Sequence, residues 1–297
     1  MEIRKPNLFV IGLPKAGTTA LYCYFKQHSD IFVTEPKELT YFCNDLTNIN
    51  RKNIIKTKKE FLSHYNNVKS QKVIANFCGG YVFSKKSPKE IQEFNPKAKI
   101  IVIIREPVSF FLSKYNHLLR NFNISMKFEE FINADKSFKK ELLNYPGLLK
   151  NYLRYFPNNQ IKVILFEEFK NNNQQTIDEI TDFLNVNKIK VKEVKVNKGI
   201  EIKHHLLRKL LVEKIRANPA SREWIPYRLR VFYGEFVDWL TGAPKKNNNE
   251  LIDKELQRKI KHKFKPVIVK LNNLLHDKNL LKKEVDLVKI WRYKDTT

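Results

Sequence analysis

Leu8-Phe9-Val10-Ile11-Gly12-Leu13-Pro14-Lys15-Ala16-Gly17-Thr18-Thr19 is the stretch whose reading decides the fold. Four apolar residues read as a buried strand, a glycine-bearing turn follows, and the paired threonines begin a helix. The unpaired N–H groups of a helix N-terminus point at whatever occupies such a loop, so the corner is an anion cradle suited to a phosphorylated nucleotide. A Walker loop needs Gly-Lys-Ser/Thr, with the lysine on the β/γ-phosphates and the hydroxyl on magnesium. Here Gly17 is followed by Thr18, and Lys15 lies inside the loop, which disfavours a kinase or nucleoside triphosphatase. A forward lysine followed by two hydroxyls suits a donor with one phosphate joined to another compact anionic group.

A second segment supports the first. In Lys99-Ile100-Ile101-Val102-Ile103-Ile104-Arg105-Glu106-Pro107 the apolar run is too short to span a membrane and reads as a buried parallel strand. It delivers Arg105 to its C-terminal end, where open α/β sheets bind their ligands. Pro107 is expected to start the next helix, with Ser113 about two turns along it. That spacing would let a guanidinium and a hydroxyl converge on one phosphate, the plain alternatives being a surface ion pair for Arg105 and a helical serine without a ligand.

With both segments in place, the chain resembles the sulfotransferases that use 3′-phosphoadenosine 5′-phosphosulfate (PAPS). Pro14-Lys15-Ala16-Gly17-Thr18-Thr19 is similar to the family's 5′-phosphosulfate loop, and Arg105-Glu106-Pro107 with Ser113-Lys114-Tyr115 to its 3′-phosphate motif. Phe156-Pro157 with Gln160 to Phe169 resembles the next family strand, Phe183-Leu184 the helix end that follows, and Trp291 a family position near the C-terminus. The resemblance leaves out roughly the 200–250 region.

The resemblance implies site residues. In the carbohydrate-type and related bacterial branch a glutamate three residues before an aromatic pair is the general base, and Glu38 stands so before Tyr41-Phe42. Such a base, expected in a partly buried site, takes the proton of the acceptor hydroxyl or amine as it attacks sulfur. Phenol- and steroid-type relatives use a histidine after the next strand, where this chain reads Asn76-Phe77-Cys78-Gly79-Gly80-Tyr81. Relatives often carry Gly-Glu-x-Ser-Pro there, so the acceptor contacts of that loop do not carry over. Lys15 is expected on the oxygen bridging sulfur and the 5′-phosphate, where negative charge gathers on the leaving group. Asn197-Lys198-Gly199 resembles a later donor-binding loop, making Lys198 a second cation on the sulfuryl group and Gly199 part of the donor site. The implied donor set is Lys15, Ala16, Gly17, Thr18, Thr19, Arg105, Ser113, Lys198 and Gly199, with adenosine 3′,5′-bisphosphate as product and no metal.

Composition fits one α/β enzyme domain. The 297 residues exceed the usual prior of roughly 100–200 per domain, but no linker or internal repeat divides them. The expectation is a single domain over 1–297 with a P-loop-like central parallel β-sheet flanked by helices. A helical insertion at about 200–250 is expected on the acceptor side, and its stripe Leu206, Leu207, Leu210, Leu211 and Ile215 reads as a packing face rather than a binding face. The clusters Asn171-Asn172-Asn173 and Asn247-Asn248-Asn249 read as loop tips.

Cys23, Cys43 and Cys78 have neither Cys-x-x-Cys nor metal-ligand spacing, and an odd count argues against a disulfide framework, so reduced thiols are expected. The first strand begins almost at once, which leaves no room for a signal peptide or anchor and predicts a cytoplasmic protein. The 56 Lys and Arg against 31 Asp and Glu give a net charge of +25. That field attracts a polyanionic donor or acidic acceptor, although an Asn/Ile/Lys-rich composition with a solvated surface accounts for much of it.

The expected reaction is transfer of the sulfuryl group from PAPS to a hydroxyl or amine of a carbohydrate or small metabolite. A P-loop nucleotide kinase is the alternative enzyme. A basic nucleic-acid-binding protein is the alternative of another class, opposed by dispersed Lys/Arg and the absence of any RNA or DNA motif.

Overall fold

The computed structural model describes residues 4–46, 54–122, 126–192, 194, 200–202, 242–244 and 253–293. Five apolar runs become strands: β1 (Leu8–Val10), β2 (Ile31–Glu38), β3 (Val73–Phe77), β4 (Lys99–Ile104) and β5 (Ile161–Leu165). They form one parallel sheet in the order β2-β3-β1-β4-β5. Leu8 to Val10 and Ile100 to Ile104 are wholly buried, as strands covered on both faces must be when helical crossovers connect them.

Between and after the strands run α1 (Thr18–Phe25), α2 (Lys58–Ser63), α3 (Ser87–Phe94), α4 (Pro107–Phe122), α5 (Phe128–Ala134), α6 (Lys136–Leu143) and α7 (Tyr145–Leu153). The described helices continue with α8 (Phe166–Asn171), α9 (Asn173–Leu184), α10 (Lys254–Asp277) and α11 (Leu287–Ile290). The stripe Ile260, Phe264, Ile268, Leu271 and Leu275 of α10 is buried at helical spacing. The ring of Phe264 lies 6.2 Å from that of Phe111. Among the described residues no helix is long and apolar enough to cross a membrane.

The topology positions the site. From β1 the chain moves outward to β2, whereas from β3 it crosses over β1 to β4. The connections therefore diverge between the C-terminal ends of β1 and β4, a topological switch point where open sheets bind ligands. The turn ending in Thr18 and residue Arg105 leave these two strands. The expected α/β class and both strand-to-helix corners are thus present, including Pro107 as the first residue of α4.

Two compact units can be distinguished, one of residues 1–111, 135–196 and 258–297, the other of 112–134 and 197–257. The first holds the sheet. In the second, β6 (Ile200–Ile202) and β7 (Gly242–Pro244) pair antiparallel, Ile200 opposite Pro244. The leucine stripe of the expected helical insertion and the Asn247–Asn249 cluster lie outside the described residues.

Two local expectations are corrected. The stretch from Gln160 to Phe169 is not all strand: β5 ends at Leu165, and Phe166 begins α8. Asn171 to Asn173 is a tight helix-to-helix junction rather than a loop tip. There the Asn172 carboxamide oxygen caps α9 by accepting the Gln175 N–H at 3.1 Å.

Candidate functional site

The turn after β1 is shaped by close backbone approach. Ile11 N–H donates to the Ile101 carbonyl at 2.9 Å and Leu13 N–H to that of Ile103 at 3.1 Å, so the chain leaving β1 still runs along β4. A Cβ on Gly12 would stand 2.7 Å from the Ile103 nitrogen, which admits only glycine. The chain then turns through left-handed backbone at Lys15 (φ 63°) and Gly17 (φ 87°). Gly17 is the N-cap of α1 and brings no capping side chain, leaving first-turn N–H groups for another acceptor. A Cβ on Gly17 would meet the rings of Phe166 and Phe169 at 3.2 Å. Within the loop Ala16 and Thr18 are buried, and Lys15, Gly17 and Thr19 half-buried.

Arg105 closes the other side of the switch point. Its guanidinium donates to the Lys15 carbonyl, and its central carbon sits 4.1 Å from the ring centroid of Phe166. Its backbone N–H donates to the Tyr145 hydroxyl at 3.0 Å, and that hydroxyl donates back to the Arg105 carbonyl at 3.3 Å. Burial pulls the guanidinium pKa down to about 10, opposed by the Glu167 and Glu106 carboxylates, so it stays charged at neutral pH. Arg105 Nε is buried with no hydrogen-bond partner, a cost that an added acceptor would remove. Loop, strand end and the aromatic floor from α8 are therefore one assembly.

Carboxylates tie that assembly to the chain's end. Glu106 caps α4 by accepting from Val108 N–H (3.0 Å) and Ser109 N–H (2.6 Å), and it accepts the Tyr293 hydroxyl at 2.7 Å. Glu167 accepts the Trp291 indole N–H at 3.0 Å and the Glu106 N–H at 3.3 Å. Burial raises the Glu167 pKa, against the lowering effect of those hydrogen bonds.

Glu38 is the last residue of β2, beside Phe77 of β3 after a register shift. Its side chain is 48% exposed, at the end of an edge strand. The neighbouring Lys37 faces inward at 19% exposure. Its ammonium donates to Thr18 Oγ1 at 3.0 Å and Thr19 Oγ1 at 3.3 Å, and lies 3.4 Å from Glu38 Oε1. Burial lowers the Lys37 pKa, with Glu38 opposing. Glu35, also near the turn, points elsewhere and pairs with Lys26. Asn76, where other branches have a differently equipped loop, is buried and donates to the Tyr65 hydroxyl at 3.0 Å.

The structure thus brings Lys15, Ala16, Gly17, Thr18, Thr19 and Arg105 together and links Glu38 to the threonines through Lys37. Ser113 is half-buried on α4 and belongs to the second unit. Lys198 and Gly199 lie outside the described residues. The sequence reading assigned no role to Lys37, Phe166 or Tyr145. Lys37 had a usable signal, a cation next to the presumed base. Phe166 had a weaker one, an aromatic directly after an apolar strand.

Known proteins resemble this chain in sequence and in fold. The family model described as "Sulfotransferase family" matches residues 6–189, a span that includes the loop, Glu38, Arg105 and Ser113. Human bifunctional heparan sulfate N-deacetylase/N-sulfotransferase 3 is 28% identical over 199 residues, 62% of this chain and 22% of that protein. Mouse heparan sulfate glucosamine 3-O-sulfotransferase 5 is 25% identical over 170 residues, 54% of this chain and 47% of that protein. The chain thus spans about a fifth of the first relative and about half of the second. Among solved structures, the sulfotransferase from Alicyclobacillus acidocaldarius has a TM-score of 0.70 at 20% identity, covering 98% of this chain and 100% of that one. That similarity is one of fold.

Proposed function

The chain belongs to the sulfotransferase family, and from that premise we propose that it transfers the sulfuryl group of PAPS to a hydroxyl or amine of a carbohydrate, releasing adenosine 3′,5′-bisphosphate. The observation that carries the reading is the joining of the Lys15–Thr19 turn to Arg105 across the switch point of the sheet. A carbohydrate is favoured over a small metabolite because two similar proteins are named for N- and 3-O-sulfotransfer on heparan sulfate. A net charge of +25 favours encounter with an anionic donor and an acidic glycan.

The residues present fit a donor with anionic groups at both ends. The helix start without a side-chain cap, the left-handed turn and Lys15 suit the 5′-phosphosulfate. Arg105, whose Nε lacks an acceptor, suits the 3′-phosphate, and Ser113 is a proposed donor residue on its sequence motif alone. PAPS supplies a sulfuryl group joined to phosphate through an oxygen that leaves readily.

Glu38 takes the acceptor proton while the acceptor oxygen or nitrogen bonds to sulfur. Its position at the exposed end of an edge strand leaves it open to a bulky acceptor. Lys15 stabilises the electron pair left on the bridging oxygen when the sulfur–oxygen bond breaks. Lys198 is the proposed further cation and Gly199 a proposed donor residue.

Acceptors are to be screened with isotopically labelled PAPS, using acidic oligosaccharides beside small hydroxylated and amine-bearing metabolites. The expected result is a product heavier by one sulfuryl group and an equal amount of adenosine 3′,5′-bisphosphate. Magnesium-dependent ATP turnover with no use of PAPS would overturn the reading in favour of a nucleotide kinase.

A further inference from the structure

Lys37 is placed where a cation gains least from the fold. Its ammonium rests on the hydroxyls of Thr18 and Thr19, the first two residues of α1, at the end of a helix that carries partial positive charge. It is only 19% exposed, so much of its hydration is lost. The balancing carboxylate is the exposed Glu38 at 3.4 Å, and such contacts contribute little in water. Burial accordingly depresses its pKa. An anion at the same spot offsets these penalties, since it would be attracted both by the helix start and by the ammonium.

We propose that Lys37 is a ligand of the donor's sulfuryl group, exchanging the Thr18 and Thr19 hydroxyls for the non-bridging sulfuryl oxygens when PAPS binds. The inference rests on the donor site proposed above and adds to it a residue that distinguishes substrate from product. With Glu38 on one side and the 5′-phosphosulfate loop on the other, the ammonium stands between the base and the expected position of sulfur. During transfer the acceptor bonds to sulfur, the bond from sulfur to the 5′-phosphate oxygen breaks with its electron pair on that oxygen, and the proton goes to Glu38. The bisphosphate left behind has no sulfuryl oxygens, so Lys37 returns to the threonine hydroxyls and the product is held less tightly than the substrate.

Calorimetric binding of PAPS and of adenosine 3′,5′-bisphosphate, without acceptor, tests this in the wild type and in Lys37→Met. A lost charge-assisted contact predicts roughly a ten- to hundred-fold loss of PAPS affinity, with bisphosphate affinity held to within about threefold. Retained bisphosphate binding shows that the variant is folded. Lys37→Gln, polar but without charge, should show the same split and serves if the Met variant does not fold. Lys37→Arg should restore most of the PAPS preference. Equal losses for both nucleotides, or none, with a wild type that binds both, would make Lys37 a strut of the loop and overturn this inference alone. A wild type that binds neither nucleotide would overturn the donor site and this inference together.

Discussion

Replacing Arg105 by alanine separates two duties that the structure gives to one side chain. As a ligand, Arg105 is proposed to meet the 3′-phosphate, and losing such a charge-assisted contact costs about 1.5–3 kcal/mol, or roughly ten- to hundred-fold in affinity. As a brace, it donates to the Lys15 carbonyl and stacks 4.1 Å over Phe166. Losing a hydrogen bond from the charged guanidinium and a cation–π contact costs on the order of 2–4 kcal/mol more. The second loss loosens the loop for any nucleotide with a 5′-phosphate. AMP has that phosphate and the same adenosine but lacks the 3′-phosphate, so it measures the brace alone. Titration calorimetry at fixed ionic strength should show AMP binding weakened by the loss of the brace and adenosine 3′,5′-bisphosphate binding weakened by a further ten-fold or more. Arg105→Lys keeps the charge without the planar stack and should fall between. Equal weakening of both nucleotides by Arg105→Ala would refute the assignment of the 3′-phosphate.

Other substitutions probe neighbouring links. Glu38→Gln should lower turnover by roughly 10²–10⁴ with bisphosphate affinity unchanged, whereas Lys15→Ala should lower both; normal turnover in Glu38→Gln places the base elsewhere. Gly17→Ala forces a side chain into left-handed backbone 3.2 Å from Phe166 and Phe169, a strain of about 1–2 kcal/mol, so the melting temperature should drop by a few degrees and nucleotide affinity with it. An unchanged melting curve would count against the loop geometry. Tyr293→Phe leaves Glu106 one donor short and should cost about 1–3 kcal/mol, read as a lower urea midpoint at constant slope. Glu179 tests pH linkage: burial works to raise its pKa, but the ammoniums of Lys282 at 2.6 Å and Lys162 at 3.0 Å prevail and lower it. A carboxylate depressed by folding contributes stability above its unfolded pKa and loses it as pH falls through the folded value. Glu179→Gln should therefore destabilise at neutral pH, with the gap to wild type closing in acid; a gap that widens in acid contradicts the sign.

What the amino-acid order determined by itself is short-range. The apolar runs Leu8 to Ile11 and Ile100 to Ile104 read as buried strands, the glycine-bearing turn as the start of a helix at the threonines and Pro107 as the opening of the next one, and the structure has strands and helices there. Periodicity and turn chemistry act over a few residues, which is why these features were readable in advance. Partner choice is different, since it depends on which strands lie side by side. Arg105 turns onto Phe166, which follows the neighbouring β5, and Glu106 meets Tyr293 from 187 residues away. Lys37 reaches Thr18 and Thr19, whereas Glu38 next to it faces solvent. In a strand successive side chains point to opposite faces, so the register of β2 on β3, shifted between Val33 and Glu38, decided which of the two residues was turned inward to the loop.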